Sequence, residues 1–345
     1  MAKAKKLTKG QARQIRANQS KKLRKSTETI QWQDDELGAP EQGVVISRFG
    51  QHADVESHDG EIFRCNLRRS ISSLVCGDKV LWRKGKATQH SISGVIEAVH
   101  ERDSVLSRPD VYDGVKPIAA NISQILIVSS VLPAFNSDII DRYLVAAEQT
   151  GITPVILLNK VDLLDDSNRE VIEKQLNIYR DIGYQVTYVS NETGEGIAEL
   201  SAQLSQHTSI FVGQSGVGKS TLTNTLMPEL GLVTNIVSEN SGLGQHTTTV
   251  ARLYHFKQGG DLIDSPGIRE FGLWHLSPEQ VSNGFIEFSP YIGTCKFRDC
   301  KHQNDPGCAL IAAKNDGKIY PERLVSFQKI LASLGDNTLT SRFND

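Results

Sequence analysis

The chain has 345 residues, of which 39% are hydrophobic and 23% are charged, and its formal net charge at pH 7 is −2. Its length allows about two or three domains with substantial cores. No apolar run approaches the roughly 18 residues that a membrane-spanning helix needs, and the five cysteines do not form a secreted disulfide framework. We therefore expect a cytoplasmic protein that has no membrane segment.

The N-terminal segment is strongly basic. Residues 1–25 carry ten Lys and Arg residues and no acidic residue. Such a block is typical of an unfolded arm that binds a polyanion, and a solvated tail without a partner is the alternative. The block lacks the apolar region of a secretory signal. A polar linker follows, so we assign residues 1–40 to an arm and linker.

Five short strand-like runs lie between residues 43 and 99, separated by turn signals such as Asp59-Gly60. They predict a small β-barrel of the OB-fold type over residues 41–103. Such barrels often bind single-stranded nucleic acid. A basic face beside Trp82 is one possibility, and a core position for Trp82, with acidic residues balancing the charge, is the other. The basic residues are Arg68, Arg69, Arg83, Lys84 and Lys86.

The next region has an α/β pattern. Residues 100–118 are predicted to be a linker, and strand-like and helix-like runs alternate from Asn121 onward. This alternation predicts a parallel sheet with helices on both faces. Strands are expected at 122–132, 153–159, 184–190 and 207–212, and helices at 137–151, 167–183 and 194–204.

The sequence GQSGVGKS follows the strand-like run 207–212 and precedes a helix-like run. It has the P-loop pattern, in which backbone N–H groups at a helix N-terminus surround phosphate groups. Lys219 is expected to reach the β- and γ-phosphates, and Ser220 to bind Mg²⁺. A chance glycine-rich turn is the alternative, which the flanking strand and helix disfavour. The predicted phosphate-binding residues are Gly213, Gln214, Ser215, Gly216, Val217, Gly218, Lys219, Ser220 and Thr221.

The quartet Asn159, Lys160, Val161 and Asp162 comes at the end of a predicted buried strand. The Asp162 carboxylate can accept hydrogen bonds from the ring N–H and the amine of guanine, whereas adenine would leave it unpaired. We expect Asn159 to tie this loop to the P-loop and Lys160 to lie along the base. Ser190, at the next strand end, is expected to direct its backbone N–H at the guanine oxygen. An ordinary polar loop is the alternative.

Two further stretches have the pattern of γ-phosphate contacts. The run DLIDSPG places Asp264 at a strand end, where it could hold Mg²⁺ through water, and the Gly267 N–H could bind the γ-phosphate. Of the three threonines at 247–249, Thr248 is predicted to contact Mg²⁺ and the γ-phosphate as part of a switch segment. Alternatively, the threonines merely begin the next strand, for which Thr is well suited.

The predicted catalytic residue is His246. Many GTPases have a Gln directly after the Asp-x-x-Gly motif, where it orients the attacking water. Ile268 occupies that position here and cannot do so. An imidazole can accept a hydrogen bond from water near neutral pH, and His246 directly precedes the threonines. An exposed loop histidine, or a group supplied by a partner, is the alternative.

The order of these motifs is unusual, because the guanine-reading quartet precedes the P-loop. The motifs therefore resemble those of circularly permuted GTPases, and we assign residues 104–275 to such a domain. A permuted sheet is tolerated where the original chain termini lie close together. The segment after Asp264 continues directly into the C-terminal region, so the nucleotide state could move that region.

The C-terminal region contains Cys295, Cys300, His302 and Cys308 within fourteen residues. Three thiolates and one imidazole predict a closed, four-coordinate structural zinc site. Scattered buried cysteines are the alternative. Residues 276–345 are accordingly predicted to form a helical zinc-binding domain and tail.

A barrel, a permuted GTPase and a Cys-Cys-His-Cys finger, in this order, resemble the ribosome small-subunit-dependent GTPase A family over about residues 40–335. The motifs that carry the resemblance are NKVD, GQSGVGKS, GQHTTT, DSPG and the zinc cluster. The resemblance implies hydrolysis of GTP to GDP and phosphate, with Mg²⁺, stimulated by the 30S subunit during its late maturation. It also implies contact with 16S rRNA, and we expect a monomer.

Two other functions remain open at this stage. One is an RNA-binding assembly factor with a structural, rarely hydrolysed nucleotide. The other is a signalling GTPase that acts on a protein partner, against which the basic arm argues.

Overall fold

The computed structural model describes residues 34–89, 92–110, 114–230, 251–264, 276–303 and 305–340. The basic arm, His246, Thr248, Gly267 and Ile268 lie outside the described residues. No helix in the described part of the chain is both long enough and apolar enough to cross a lipid bilayer.

The N-terminal strands close into a five-stranded barrel. They pair in the order β1-β2-β3-β5-β4, and β4 pairs back onto β1. The β3–β5 pairing is parallel and the other pairings are antiparallel. The predicted OB-type barrel is confirmed, although its first strand begins within the segment expected to be a linker. The strands are β1 (Leu37–Phe49), β2 (His52–Ser57), β3 (Ile62–Leu67), β4 (Lys79–Gln89) and β5 (Ile92–Val99).

Trp82 belongs to the core of this barrel. Its side chain is fully buried and stacks on Phe63 with ring centroids 5.0 Å apart. Glycine is required beside it, because a Cβ at Gly43 would lie 2.9 Å from the indole. Of the basic residues expected near Trp82, Arg68 forms an ion pair with Glu97 at 2.9 Å. Trp82 is therefore a core residue, and nucleic-acid binding by the basic residues beside it stays a prediction.

A β-hairpin occupies most of the segment that was predicted to be a linker. It consists of β6 (Val105–Asp110) and β7 (Gly114–Ala120). The hairpin is attached to the barrel, since the Ala120 N–H donates to Cys76 O at 2.9 Å. The Asn121 amide donates to Gly77 O at 2.8 Å. These bonds fix the exit of the barrel against the start of the central sheet.

The central sheet has the strand order β10-β9-β8-β11-β13-β12. All neighbouring strands are parallel except β12, which is antiparallel to β13. The predicted parallel sheet with helices is confirmed. The strands are β8 (Gln124–Ser130), β9 (Thr153–Asn159), β10 (Gln185–Tyr188), β11 (Thr208–Val212), β12 (Arg252–His255) and β13 (Asp261–Asp264), and the helices are α1 (Ser137–Glu148), α2 (Arg169–Ile182), α3 (Ile197–Leu204) and α4 (Lys219–Leu226).

Both faces of this sheet are covered, and β8 shows why. All seven of its residues are buried. Ile125 and Ile127 point into a cluster with α1 and α2, whereas Leu126 and Val128 point into a second cluster with α3 and α4. Successive side chains of a strand lie on opposite faces, so an uninterrupted apolar run requires helices on both sides.

The C-terminal helices pack onto α1 and α2 through a buried charge. They are α5 (Pro278–Asn283), α6 (Ala309–Asn315) and α7 (Pro321–Thr340). Arg323 of α7 is 1% exposed and forms ion pairs with Asp141 of α1 and with Glu287. The Tyr179 hydroxyl of α2 donates to the same Asp141 carboxylate at 2.7 Å. This network joins the C-terminal region to the central domain.

The barrel contacts the central sheet at its β12 edge. Ser47 of β1 pairs with Arg252 of β12. The two nitrogens of the His255 ring lie 2.7 Å from Asp261 Oδ1 and 2.7 Å from Glu56 Oε2 of the barrel. The hydrogen bond to Asp261 and the charge of Glu56 raise the pKa of His255 to about 9, despite its partial burial.

Replacing His255 with Gln should lower thermal stability in a pH-dependent way. The folded pKa of about 9 exceeds the ordinary value of 6.5, so the stabilisation is fully present below pH 6.5 and is lost as pH rises through 9. Half-exposed ion pairs contribute at most about 1 kcal/mol, and we expect the Tm to fall by about 1–4 °C at pH 6. At pH 10 the two proteins should melt together.

Differential scanning calorimetry at both pH values measures this difference. The matched control is His58→Gln, on an exposed turn of the same barrel, which should leave the Tm unchanged. A deficit of His255→Gln that persists at pH 10 would contradict the ionic explanation.

Candidate nucleotide site and metal centre

The predicted site residues converge on one edge of the central sheet. The P-loop follows β11, the Asn-Lys-Val-Asp quartet begins at the last residue of β9, Ser190 follows β10, and Asp264 ends β13. These four strands are parallel, so their carboxyl ends lie at the same edge. Ligands of open α/β sheets bind at this edge.

The P-loop glycines are required by backbone geometry. Gly213, Gly216 and Gly218 all have positive φ values, of 140°, 82° and 97°. A Cβ at Gly213 would lie 2.2 Å from Val128 O, and a Cβ at Gly218 would lie 2.4 Å from Asn159 Nδ2. No other residue type fits at these two positions without moving the backbone or the amide.

The P-loop leads directly into α4, whose N-terminus carries no side-chain cap. The first N–H groups of such a helix can bind an anion. The Lys219 ammonium donates to Gly213 O and Gln214 O at 2.6 Å each, which holds it against the loop. Ser220 follows within the first turn. The arrangement provides backbone N–H groups and a cation for phosphate oxygens.

Asn159 joins three loops at the centre of the site. It is completely buried, and its amide donates to Val217 O at 2.9 Å. Its Oδ1 accepts from the Lys160 N–H at 2.8 Å and from the Asn191 amide at 3.4 Å. The expected tie between the quartet and the P-loop is therefore present.

Lys160 spans the space between the quartet and the P-loop. Its φ of 59° is unusual for a residue with a side chain. Its ammonium donates to Leu132 O at 2.6 Å and to Gly216 O at 2.8 Å. The side chain thus bridges the two loops, and its contact with a bound base stays a prediction. The apolar side chain of Val161, by contrast, is buried in the core.

The structure corrects the expectation for Ser190. Its backbone N–H donates to Glu195 O at 3.0 Å, so this donor is not available to a guanine oxygen. Its hydroxyl instead donates to Asp162 Oδ1 at 2.5 Å and orients that carboxylate. The N–H of the next residue, Asn191, has no acceptor among the described residues. The sequence analysis did not identify Asn191 as a site residue. The only signal for it in the sequence is its position directly after Ser190.

Asp264 lies at the end of β13, directly opposite Arg252 of β12. The end of β13 lies at the same edge of the sheet as the P-loop. The roles of His246, Thr248 and Gly267 stay predictions, because these residues lie outside the described part of the chain.

The cysteine and histidine cluster has the geometry of a zinc site. The ligand atoms of Cys295, Cys300, His302 and Cys308 lie within 4.8 Å of one another. His302 Nδ1 is 3.5, 3.6 and 3.5 Å from the three sulfur atoms. Tetrahedral zinc, with Zn–S near 2.3 Å and Zn–N near 2.0–2.1 Å, would separate nitrogen and sulfur by about 3.5 Å. The four donors could therefore hold a zinc ion.

Neighbouring groups orient these ligands. The Ala309 N–H donates to Cys295 Sγ at 3.3 Å, and the Gln328 amide of α7 donates to His302 O at 3.0 Å. Burial lowers the pKa of His302, which favours the neutral ring that a metal requires. With four protein ligands the site is closed, as structural sites are.

The fold and the nucleotide-binding edge define the class of protein. The P-loop and the Asn-Lys-Val-Asp quartet share one sheet edge, and the quartet comes first in the chain, so this is a circularly permuted GTPase. Residues 99–274 match the family model described as RsgA GTPase. The chain belongs to the RsgA GTPase family.

Relatives and solved structures agree with this assignment. The small ribosomal subunit biogenesis GTPase RsgA of Pectobacterium atrosepticum is 56% identical over 343 residues, which is 99% of this chain and 98% of the relative. RsgA 1 of Vibrio parahaemolyticus is 58% identical over 347 residues, which is 100% of this chain and 98% of the relative.

Two crystal structures share the fold. YjeQ from Thermotoga maritima superposes with a TM-score of 0.70 at 31% identity, covering 86% of this chain and 99% of that one. YloQ, described as a circularly permuted GTPase, has a TM-score of 0.68 at 26% identity, covering 89% of this chain and 98% of that one.

The variant Asn159→Ala should weaken binding of GTP and GDP alike. The substitution removes the amide that joins three loops and leaves Val217 O buried without its donor. A loss of this kind costs about 1–3 kcal/mol, so we expect affinity to fall by about 10- to 100-fold. Calorimetric titration with GDP and a non-hydrolysable GTP analogue measures it. Asn177→Ala, on the exposed face of α2, is the control, and a loss confined to GTP would argue against this explanation.

The variant Cys300→Ser should abolish stoichiometric zinc binding, because three ligands remain where a structural site needs four. Elemental analysis of the purified protein by mass spectrometry measures the zinc content. Cys65→Ala, at a buried barrel cysteine, should keep the wild-type content. An unchanged zinc content in Cys300→Ser would show that the cluster is not the zinc site.

Proposed function

We propose that the protein binds the small ribosomal subunit in its GTP-bound state, late in maturation of that particle, and that hydrolysis to GDP and phosphate releases it. The observation that carries the proposal is the sheet edge at which buried Asn159 joins the base-reading quartet to the P-loop. The names of the relatives support the ribosomal particle as the partner.

The proposed division of labour at the nucleotide follows from donor and acceptor chemistry. The Asp162 carboxylate, oriented by Ser190, accepts from the guanine ring N–H and amine, and the Asn191 N–H donates to the guanine oxygen. Lys219 and the N–H groups of the P-loop bind the phosphates. A magnesium ion, when bound, neutralises charge on the phosphates; Ser220, Thr248 and Asp264 would hold it.

Hydrolysis needs a group that orients water, and Ile268 cannot be that group. We assign this role to His246, in the segment that precedes Thr248, and Gly267 donates its N–H to the γ-phosphate. Docking on the subunit orders the segment that carries His246 and Thr248, and this completes the site. Sites that are completed by a partner can gain about 10³–10⁵ in rate.

Contact with 16S rRNA is assigned to basic segments outside the nucleotide site. The arm at residues 1–25 can neutralise phosphates. The loop between Cys295 and Cys300 contains the exposed residues Lys296 and Arg298, and its Phe297 is 47% exposed. Exposed aromatic and basic side chains together suit unpaired bases. We further propose that the protein acts as a cytoplasmic monomer, with domains at 1–40, 41–103, 104–275 and 276–345.

GTP turnover with added 30S or 50S subunits tests the proposal. The wild type should be stimulated by 30S subunits and not by 50S subunits. His246→Ala should bind GTP normally but lose about 10²–10⁴ in stimulated rate, as expected for loss of a proton-accepting group. Lys219→Ala should fold and lose turnover.

The control is His58→Ala, in an exposed turn, which should behave as the wild type. A stimulated rate of His246→Ala equal to that of the wild type would show that this residue has no catalytic role. Turnover that remains negligible with either subunit would favour an RNA-binding assembly factor with a structural nucleotide.

A further inference from the structure

The β12–β13 hairpin links the barrel to the segments proposed to contact the γ-phosphate. Arg252 and Asp264 pair at one end of the hairpin, and His255 and Asp261 pair at the other. Thr248 lies four residues before Arg252, and Gly267 lies three residues after Asp264. Both segments therefore leave the hairpin at the Arg252–Asp264 end, and about 10 Å of strand separates that end from His255.

The hairpin is packed on the barrel along its length. Leu253 and Ile263 share a buried apolar cluster with Ile46 and Cys76 of the barrel region. A Cβ at Gly77 would lie 3.1 Å from the Ile263 side chain. Close-packed contacts of this kind transmit displacement, because such interiors are scarcely compressible.

A series of polar contacts crosses the interface between the barrel and the β12–β13 hairpin. Glu56 of the barrel strand β2 contacts His255 of β12, which contacts Asp261 of β13. Asp261 in turn accepts from the Thr208 hydroxyl at 3.2 Å. Thr208 begins β11, the strand that ends at the P-loop. Because the raised pKa leaves the ring charged at neutral pH, both of its N–H groups donate to the two carboxylates.

We propose that Glu56 and His255 are positioning residues for GTP hydrolysis: they fix the β12–β13 hairpin to the barrel, so that docking of the barrel on its partner sets the position of Asp264 at the end of β13. This inference rests on the proposed function, since it needs a partner that engages the barrel. Neither residue touches the nucleotide. Their contribution is to make the barrel and the hairpin move as one body.

The test uses the full-length protein and the variants Glu56→Gln, His255→Gln and their combination. Each should keep basal turnover, the KM for GTP and the affinity for 30S subunits. The maximal rate at saturating 30S subunits should fall by about two- to fivefold, as expected for a half-exposed ion pair. The double variant should lose no more than either single variant, because both remove the same contact. A purely structural role would instead lower basal and stimulated rates together.

The matched control is Asp103→Asn, which removes an exposed ion pair of 2.9 Å between Asp103 and Lys79 of the barrel strand β4. It should keep full stimulation. Stimulation equal to that of the wild type in both single variants would overturn the inference and leave the proposed function intact. So would a weaker affinity for 30S subunits with an unchanged maximal rate. A wild type that 30S subunits fail to stimulate would overturn both.

Discussion

The nucleotide site depends on one buried amide. Asn159 ends β9 with no exposed surface, and its hydrogen-bonding groups contact the P-loop, its own loop and the loop after β10. Three loops that are far apart in the chain are thereby held in a single arrangement. The steric demand of Gly218, where a Cβ would strike this amide, is part of the same constraint. A buried polar group that is satisfied on both sides specifies one geometry more strongly than apolar contacts can.

Two other parts of the chain, the C-terminal helices and the barrel, are attached to the central domain by different kinds of contact. The C-terminal helices are attached by Arg323 and its two carboxylates within an apolar cluster, which suits a permanent contact. The barrel is attached through β12, with an imidazolium that is half exposed. The barrel attachment also includes apolar packing, because Leu253 and Ile263 share the buried cluster with Ile46 and Cys76. The two attachments therefore differ mainly in their charged contact, which is buried on the C-terminal side and half exposed on the barrel side.

Much of the site was predictable from the sequence, because its signals are local. The P-loop glycines, the NKVD quartet and the zinc ligands depend on spacing along a short stretch, and the parallel sheet follows from uninterrupted apolar strands such as β8. The errors have physical reasons. The β6–β7 hairpin has a polar, irregular pattern that resembles a linker. The choice between the N–H groups of Ser190 and Asn191 depends on how the loop closes onto Glu195, and the contact of His255 with Glu56 joins residues 199 positions apart.

The buried position of Arg323 has a consequence for the autonomy of the parts of this chain. A fragment that ended at residue 275 would retain Asp141, which is 2% exposed, but would lack its cation. It would also expose the apolar surface of α1 and α2 that the C-terminal helices cover. Leaving apolar surface in water costs about 25 cal/mol per Å², and the net stability of an ordinary domain is only about 5–15 kcal/mol. The central domain is therefore a continuous segment of the sequence whose apolar core is completed by the C-terminal helices.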